Sequence, residues 1–360
     1  MKTNLNKTYV NVIAKKLAAG TALLAASALV LAGCSNAAGS SSQSSQESAQ
    51  GGAASGKALN VYTSFYPIQW LAEQVGGDAV KVTSVTPSNA EPHDFELAPA
   101  DVDALSKADV LFYVSGFQPS LDDAIANLSA VNAVNLKDEV DLVAMADDVA
   151  SAEAAHGHDH SDHDHDDHDD HDHDDDNDTG HDDHDHAHEG ALDPHFWLDP
   201  ERMEGAADAV AEALAAADPS RKAQFEANEE ALSKKLDQLD DSYEKGLAQC
   251  KRNHLVTAHA AFGYLTGSYG LIQSAITGVD PEAEPSPAEL AAVKKVVQET
   301  GTTTIFTEEL VSPDVAEALA AETGAQTAVL SPLESAPTEG DYLTAMEANL
   351  KAIQSALECA

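Results

Sequence analysis

Short apolar strand patterns alternate with helical patterns from Leu59 onward, and this alternation restricts the fold more than any other feature of the chain. The strand patterns lie at residues 59–63, 80–85, 110–114, 254–258, 303–307 and 326–330. Helical patterns lie between them, at residues 67–75 and 98–107 and in segments that begin at residues 286, 312 and 341. Strands that alternate with helices predict parallel βαβ units. We therefore expect an α/β fold of two lobes, each a small parallel sheet flanked by helices.

Two helical stretches separate the predicted lobes, at residues 201–216 and 218–248. The large apolar side chains of the second stretch share one helical face: Phe225, Leu232, Leu236, Leu239, Tyr243 and Leu247. Asp218 suits the N-cap position and Pro219 the first helical position. Such a helix would be about 42 Å long, which is more than one small lobe needs. We expect one long rigid helix that bridges the lobes; a coiled coil is the competing interpretation.

Acidic residues dominate the charge of the chain, with 62 Asp and Glu against 19 Lys and Arg and a net charge of −43. This balance argues against nucleic acid as a partner, because a phosphate backbone requires a basic surface. Residues 156–189 hold fifteen Asp, one Glu and twelve of the sixteen His. This composition cannot form a core, so we expect a disordered loop within the first lobe.

The histidines of this loop alternate with aspartates and predict weak, exchangeable metal sites. They are His156, His158, His160, His163, His165, His168, His171, His173, His181, His184, His186 and His188. The loop could gather zinc for another site, sense zinc excess, or be a solvated acidic loop with incidental metal affinity.

Residues 1–33 have the pattern of a signal peptide, with lysines before a short apolar run. The run ends in Leu-Ala-Gly-Cys, which resembles the bacterial lipobox and predicts a lipid on Cys34. Residues 34–57 are rich in Ser, Gly, Ala and Gln and predict a flexible lipidated tether. Cys250 and Cys359 remain, and an even pair in an exported protein favours a disulfide over two free thiols.

Four histidines lie outside the acidic loop, and three of them fall in turn-rich segments: His93, His195 and His259. Ligands collect at the carboxyl ends of parallel strands, where such segments lie. Three imidazoles brought together there would form a zinc-type site that lacks one ligand. His254 lies within a predicted strand, and we expect packing or surface exposure for it.

Four motifs occur in one order along the chain: EPHDFE at residues 91–96, DPHFWL at 193–198, HAAFGY at 259–264 and PLES at 332–335. Together they resemble the zinc-type metal-binding lipoproteins of bacterial zinc and manganese ABC importers, which are solute-binding proteins. The resemblance extends from Leu59 to the C-terminus. The acidic histidine loop before the second motif is also similar to members of that family.

The resemblance implies a metal site in the cleft between the lobes. By position, His93 and His195 would come from the N-terminal lobe, and His259 and Glu334 from the C-terminal lobe. Some relatives use water or a residue beside the first histidine as the fourth ligand, which here would be Glu91. Glu308 and Glu309 are further alternatives. Three imidazoles and one carboxylate favour tetrahedral Zn²⁺ over Mn²⁺, which prefers oxygen-rich shells.

We therefore expect an extracytoplasmic receptor, lipid-anchored to the outer face of the cell membrane. It would deliver Zn²⁺ to an ABC permease driven by a cytoplasmic ATPase. We expect a monomer and no enzyme activity. The alternatives are a manganese receptor, a surface adhesin and a zinc hydrolase. The expected divisions are the signal peptide, the tether, an N-terminal lobe, a helical segment and a C-terminal lobe, at residues 1–33, 34–57, 58–200, 201–249 and 250–360.

Overall fold

Two parallel sheets, one from each half of the chain, form the framework of the computed structural model of the protein. The structure describes residues 57–128, 131–143 and 192–360. The predicted signal peptide, the tether up to residue 56, Cys34 and the acidic histidine loop lie outside the described residues.

The N-terminal sheet has the strand order β2-β1-β3-β4, and all of its neighbouring strands are parallel. Its strands are β1 (Leu59–Thr63), β2 (Val80–Ser84), β3 (Val110–Tyr113) and β4 (Ala133–Asn135). The helices that follow the first three strands are α1 (Tyr66–Gly76), α2 (Pro99–Leu105) and α3 (Pro119–Asn127). Two helices, α4 (Pro200–Ala217) and α5 (Lys222–Leu247), lead to the second sheet.

The C-terminal sheet repeats this arrangement with the order β6-β5-β7-β8, again all parallel. Its strands are β5 (His254–Thr257), β6 (Ile272–Ala275), β7 (Thr304–Thr307) and β8 (Gln326–Val329). Its helices are α6 (Gly263–Ser268), α7 (Pro287–Thr300), α8 (Asp314–Thr323) and α9 (Tyr342–Leu357). The predicted fold of two α/β lobes is confirmed.

Alternate side chains of the central strands enter different cores, as the two-residue period of a strand requires. In β3, Phe112 packs into a large cluster while Leu111 packs into a smaller one. In β7, Phe306 joins the same large cluster while Ile305 joins another small one. The large cluster therefore receives one face of each sheet, and the lobes share a single core.

Helix α5 runs along both lobes, as its length predicted. All six of its large apolar residues are buried. Near its start, Asn228 Nδ2 donates to the carbonyl oxygen of Val75 in the N-terminal lobe, at 2.9 Å. Near its end, Tyr243 Oη donates to the carbonyl oxygen of Met346 in α9, at 2.7 Å. One continuous helix is thus fixed to each lobe by a separate hydrogen bond.

The sequence indicated that this helix starts at Asp218, but in the structure it begins at Lys222. Asp218 instead caps a 3₁₀ turn, Pro219–Arg221, by accepting from the backbone N–H of Ser220. The reason lies in Arg221, whose buried guanidinium donates to the Ala79 carbonyl oxygen at 2.9 Å and to that of Lys57 at 3.0 Å. The tight turn places this side chain against the N-terminal lobe.

Trp197 joins the two lobes directly. Its Nε1 donates to the carbonyl oxygen of Pro332 at 2.7 Å, and its own carbonyl oxygen accepts from Tyr342 Oη. Tyr342 in turn stacks on Trp70, with ring centroids 4.6 Å apart. A buried aromatic network therefore crosses between the lobes beside the second motif.

The chain leaves the described part at Val143 and re-enters it at Leu192, and Val143 is hydrogen-bonded to the next residue, Asp193. The N–H of Asp193 donates to the carbonyl oxygen of Val143 at 3.0 Å. Tyr264 Oη accepts from the N–H of Val143 at 3.0 Å and donates to the carbonyl oxygen of Asp193 at 2.7 Å. The hydroxyl of a C-terminal-lobe tyrosine thus holds both ends together.

In the described part of the chain, no helix is both long and apolar enough to cross a membrane.

The structure joins Cys250 and Cys359 in a disulfide across 109 residues. Around it, Glu358 pairs with Lys251 and with Arg252, and the two backbone N–H groups of those basic residues donate to the carbonyl oxygen of Leu357. These contacts attach the end of α9 to the start of the C-terminal lobe.

Replacement of both cysteines by serine is expected to lower the free energy of unfolding by about 4 to 5 kcal/mol, because the unfolded chain loses a constraint on a loop of this length. Urea unfolding of the metal-free protein, followed by circular dichroism, measures this. Wild-type protein treated with a reductant should show the same loss. An unchanged unfolding midpoint in the double variant would contradict the expectation.

Candidate metal centre

Three histidines and one glutamate lie together where the two sheets face each other. The donor atoms of His93, His195, His259 and Glu334 all lie within 4.8 Å of one another. Glu334 Oε1 is 3.4 Å from Nε2 of His93, 3.4 Å from Nε2 of His195 and 3.5 Å from Nε2 of His259. The Nε2 atoms of His195 and His259 are 3.4 Å apart. The four side chains predicted from the motifs are therefore brought to one point.

These spacings fit a tetrahedral ion. A tetrahedron whose metal–ligand bonds are about 2.0–2.1 Å long has edges of about 3.3–3.4 Å, and those bond lengths are typical of Zn²⁺ with nitrogen and oxygen ligands. Four of the edges between donor atoms measure 3.4–3.5 Å. The donor set is thus preformed for a small four-coordinate cation.

Each donor lies in a loop next to an ordered element of its lobe. His93 lies in the segment between β2 and α2, and His259 lies two residues after β5. His195 directly precedes the 3₁₀ turn Phe196–Leu198, and Glu334 follows β8. Because the carboxyl ends of parallel strands meet at one edge of a sheet, the loops that follow these strands converge on the cleft.

Burial removes the cluster almost entirely from solvent. His195 and His259 have no exposed surface, and Glu334 is 3 % exposed. Burial alone would raise the pKa of Glu334, but hydrogen bonds with His195, His259 and His93 outweigh it and hold that pKa well below its usual range. The carboxylate is therefore ionised at neutral pH, as a metal ligand must be.

A carboxylate behind His195 sets the orientation of its ring. Asp193 Oδ1 accepts from the backbone N–H of His195 at 2.9 Å and lies 2.8 Å from its Nδ1. Burial lowers the pKa of His195, but the hydrogen bonds to Asp193 and Glu334 outweigh it, and the pKa is raised. A proton on Nδ1 leaves Nε2 as the donor atom that faces the cluster.

Glu308 has the same role for His259. Its Oε2 lies 2.6 Å from Nδ1 of His259, and its Oε1 accepts from the backbone N–H of that residue at 3.1 Å. Burial lowers the pKa of His259, but the hydrogen bonds to Glu308 and Glu334 outweigh it and raise the pKa to about 10. In the metal-free protein, the raised pKa values of His195 and His259 favour protonated imidazoles beside the buried carboxylates.

The other residues considered as fourth ligand are placed elsewhere. Glu91 accepts from the backbone N–H groups of His93 and Asp94 and so caps the turn that carries His93. Glu308 is used by His259, and Glu309 is exposed beside a cavity that also contacts Glu334. His254 opens β5 and is not part of the cluster, in line with the expectation for it.

Sequence reasoning missed the supporting roles of Asp193 and Glu308. Asp193 could have been found, because it stands two residues before His195 in a motif that had already been singled out. Glu308 was considered only as a ligand. Its contact with His259 joins β7 to the loop after β5, which no sequence spacing reveals.

Comparison with known proteins gives one family. The model of the family described as "ZnuA: Zinc-uptake complex component A periplasmic" matches residues 61–356. The zinc-binding lipoprotein AdcA of Streptococcus pneumoniae (strain ATCC BAA-255 / R6) is 33% identical over 302 residues, which is 82% of this chain and 55% of that protein. The chain thus spans about half the length of the AdcA relatives it matches.

A second relative matches over nearly its whole length. The high-affinity zinc uptake system protein ZnuA of Bacillus subtilis (strain 168) is 32% identical over 348 residues, which is 94% of this chain and 97% of that protein.

Solved structures agree with the sequence comparisons. The Zn(II)-bound ZnuA-like domain of Streptococcus pneumoniae AdcA aligns with a TM-score of 0.63 at 30% identity, covering 84% of this chain and 100% of that one. The laminin-binding protein Lmb of Streptococcus agalactiae, described as bifunctional with adhesin and metal transporting activity, aligns with a TM-score of 0.68 at 30% identity. It covers 83% of this chain and 100% of that one. The chain belongs to the ZnuA family of zinc-uptake components.

Proposed function

We propose that this protein is an extracytoplasmic receptor that binds Zn²⁺ and delivers it to an ABC-type importer. The observation that carries the proposal is the buried cluster of three imidazole nitrogens and one carboxylate oxygen at tetrahedral spacing. Membership of the ZnuA family supports it. His93, His195, His259 and Glu334 are the proposed ligands.

The donor set favours zinc over manganese. Imidazole suits Zn²⁺, whereas Mn²⁺ prefers carboxylate, carbonyl and water ligands in six-coordinate shells. Here three of the four donors are nitrogen atoms, and the aromatic ring of Phe117 packs on His93 with centroids 4.5 Å apart. Because Phe117 covers the cluster beside His93, there is little room there for additional ligands.

The same closure argues for binding rather than hydrolysis. A catalytic zinc keeps three protein ligands and an open position for water. With Glu334 as fourth ligand, every tetrahedral position is taken by the protein. The buried carboxylates Asp193 and Glu308 are both engaged by imidazoles, so neither is free to act as a general base toward water.

Binding then replaces protons by the metal ion. In the metal-free protein, the raised pKa values of His195 and His259 favour protonated rings, and each ring faces Glu334. Zn²⁺ requires neutral imidazoles, so its entry expels the Nε2 protons. The protons on Nδ1 remain on the hydrogen bonds to Asp193 and Glu308. Release of the ion to a permease is the reverse exchange.

Anchoring and partners are part of the proposal. The lipobox at Cys34 supports a lipid anchor on the outer face of the membrane, and the AdcA relative of Streptococcus pneumoniae is named a lipoprotein. A permease and its cytoplasmic ATPase are the proposed partners, because the matched family is a component of an uptake complex. Growth of the cells with a radioactive fatty acid tests the anchor. Label on the wild-type protein and none on the Cys34→Ala variant would support a lipid at Cys34.

A second proposed activity is adhesion, which rests on the Streptococcus agalactiae neighbour described as having both adhesin and metal transporting activity. Direct binding of the mature protein to immobilised laminin tests it. Saturable binding would support adhesion, and binding no stronger than that of an unrelated acidic protein would remove it.

Glu334→Gln is expected to weaken Zn²⁺ binding by about 10- to 100-fold or more, because the variant keeps the shape of the ligand but removes the only ligand charge. Competition with a fluorescent zinc chelator measures the affinity. Glu309→Gln is the matched control, because this neighbouring carboxylate is exposed and lies outside the cluster. Equal affinities of the two variants would contradict the assignment of Glu334.

Zinc binding at pH 7 is expected to release protons, and the apparent affinity should rise as the pH increases toward the pKa of His259 near 10. Calorimetric titrations in buffers of different ionisation enthalpy count the protons. Glu308→Gln should release fewer, because it removes the charge that raises the pKa of His259. Heats that are identical in all buffers would contradict the exchange.

Deletion of residues 156–189 is expected to leave one tight zinc site and remove several weak ones, because the twelve histidines of this loop alternate with aspartates. Calorimetry of the mature protein and the deletion variant, side by side, gives the stoichiometries. If both bind the same number of zinc ions, the loop adds no sites.

A further inference from the structure

Two glutamines, one in each lobe, make the same pair of hydrogen bonds behind the metal cluster. We propose that Gln118 and Gln273 are positioning residues that fix the ligands His93 and His259 through the backbone of the loops that carry them. The inference rests on the proposed function, because it assigns a role to residues that do not touch the ion.

In the N-terminal lobe, Gln118 connects the loop of His93 to the sheet. Its Nε2 donates to the carbonyl oxygen of Pro92, the residue directly before His93, at 3.0 Å, and to Thr86 Oγ1 at 2.8 Å. Thr86 Oγ1 in turn donates to the carbonyl oxygen of Ser64, just beyond β1, at 2.8 Å. A chain of three hydrogen bonds therefore runs from the end of β1 to the backbone beside His93.

The orientation of the Gln118 amide follows from its partners. A carbonyl oxygen only accepts, so the nitrogen of the amide must face Pro92. Its oxygen has no partner among the described residues, although Gln118 is only 1 % exposed. An unsatisfied buried oxygen is destabilising, because the group loses its hydration without gaining a partner. A buried glutamine with one unpaired polar atom requires an explanation. We explain it by the two bonds that the amide donates, which hold the His93 loop in place.

In the C-terminal lobe, Gln273 of β6 makes the matching connection. Its Nε2 donates to Thr257 Oγ1 at 2.9 Å and to the carbonyl oxygen of His259 itself at 3.0 Å. Thr257 Oγ1 also donates to that carbonyl oxygen, at 2.7 Å. In both lobes, then, one amide nitrogen joins a threonine hydroxyl near a strand end to the carbonyl of a ligand loop.

The need for such support is greatest at His93. His195 and His259 each have a carboxylate on Nδ1, whereas in the described part of the chain no carboxylate bonds the Nδ1 atom of His93. The residues between β2 and α2 contain no helix or strand. Phe117 packs edge-on against the ring, and the adjacent Gln118 bonds the carbonyl oxygen of Pro92. These contacts add to those of Glu334 with Nε2 and of Glu91 with the backbone N–H. The β3–α3 loop thus provides both a ring contact and a backbone contact.

The test replaces each glutamine by methionine, which has a similar length but cannot donate a hydrogen bond. Gln354→Met is the matched control, because Gln354 Nε2 also donates to a backbone carbonyl, that of Gly246 at 3.2 Å, far along α9 from the cluster. Zinc affinity, zinc dissociation rate, the absorption spectrum of the Co²⁺-loaded protein and the melting temperature of the metal-free protein are measured for all four proteins.

We expect Gln118→Met and Gln273→Met each to weaken zinc binding by about tenfold, mainly through faster dissociation. This is the lower end of the 10- to 100-fold loss of metal affinity that is typical when a residue supporting a ligand is replaced. The tetrahedral Co²⁺ bands should lose intensity or shift in both variants. The melting temperatures of the metal-free variants should change no more than that of Gln354→Met. This combination separates positioning from a general loss of stability.

If Gln118→Met does not fold, Gln118→Leu takes its place, because this apolar side chain also cannot donate to the carbonyl oxygen of Pro92. Wild-type protein that binds neither Zn²⁺ nor Co²⁺ would overturn the proposed function itself. Wild-type protein that binds both, alongside glutamine variants whose affinities, rates and spectra match those of Gln354→Met, would overturn the positioning role alone.

Discussion

The structure depends on one buried carboxylate, Glu334, surrounded by three imidazoles. An isolated ionised carboxylate in such a place would be strongly unfavourable, because burial removes its hydration. Here the raised pKa values of His195 and His259 favour protonated rings, which offset the carboxylate charge before metal binds. The protons that offset the charge of Glu334 are also the ones that a divalent cation would displace on binding. Two sheets whose strand ends face each other are the simplest framework that brings these distant residues together.

Contacts outside the cluster also hold the two lobes together. They share one apolar core, and α5 is hydrogen-bonded to each of them. Trp197 adds a direct bond to Pro332, two residues before Glu334. Large relative rotation would break these contacts together. We therefore expect metal capture and release to involve the ligand loops, with only a modest movement of the lobes.

Sequence alone predicted the features that repeat or that use distinctive residues. The apolar face of α5 and the central strands were predicted because periodicity records burial directly. Strands β4 and β6 and helices α3 and α6 were missed, because these short segments carry few apolar residues. The histidines were found by their motifs. The roles of Glu308, Gln118 and Gln273 were not, because each depends on contacts between segments that only the folded chain brings together.

Tyr264 fixes the site at which the histidine-rich stretch is inserted, between Val143 and Asp193. Its hydroxyl is hydrogen-bonded to both residues, so the two ends of the stretch between them are fixed next to each other. Loop-closure entropy grows only slowly with length, so such a point accepts insertions of very different size. Evolution can therefore change the length and composition of the histidine-rich insert while the neighbouring His195, a proposed ligand, keeps its place.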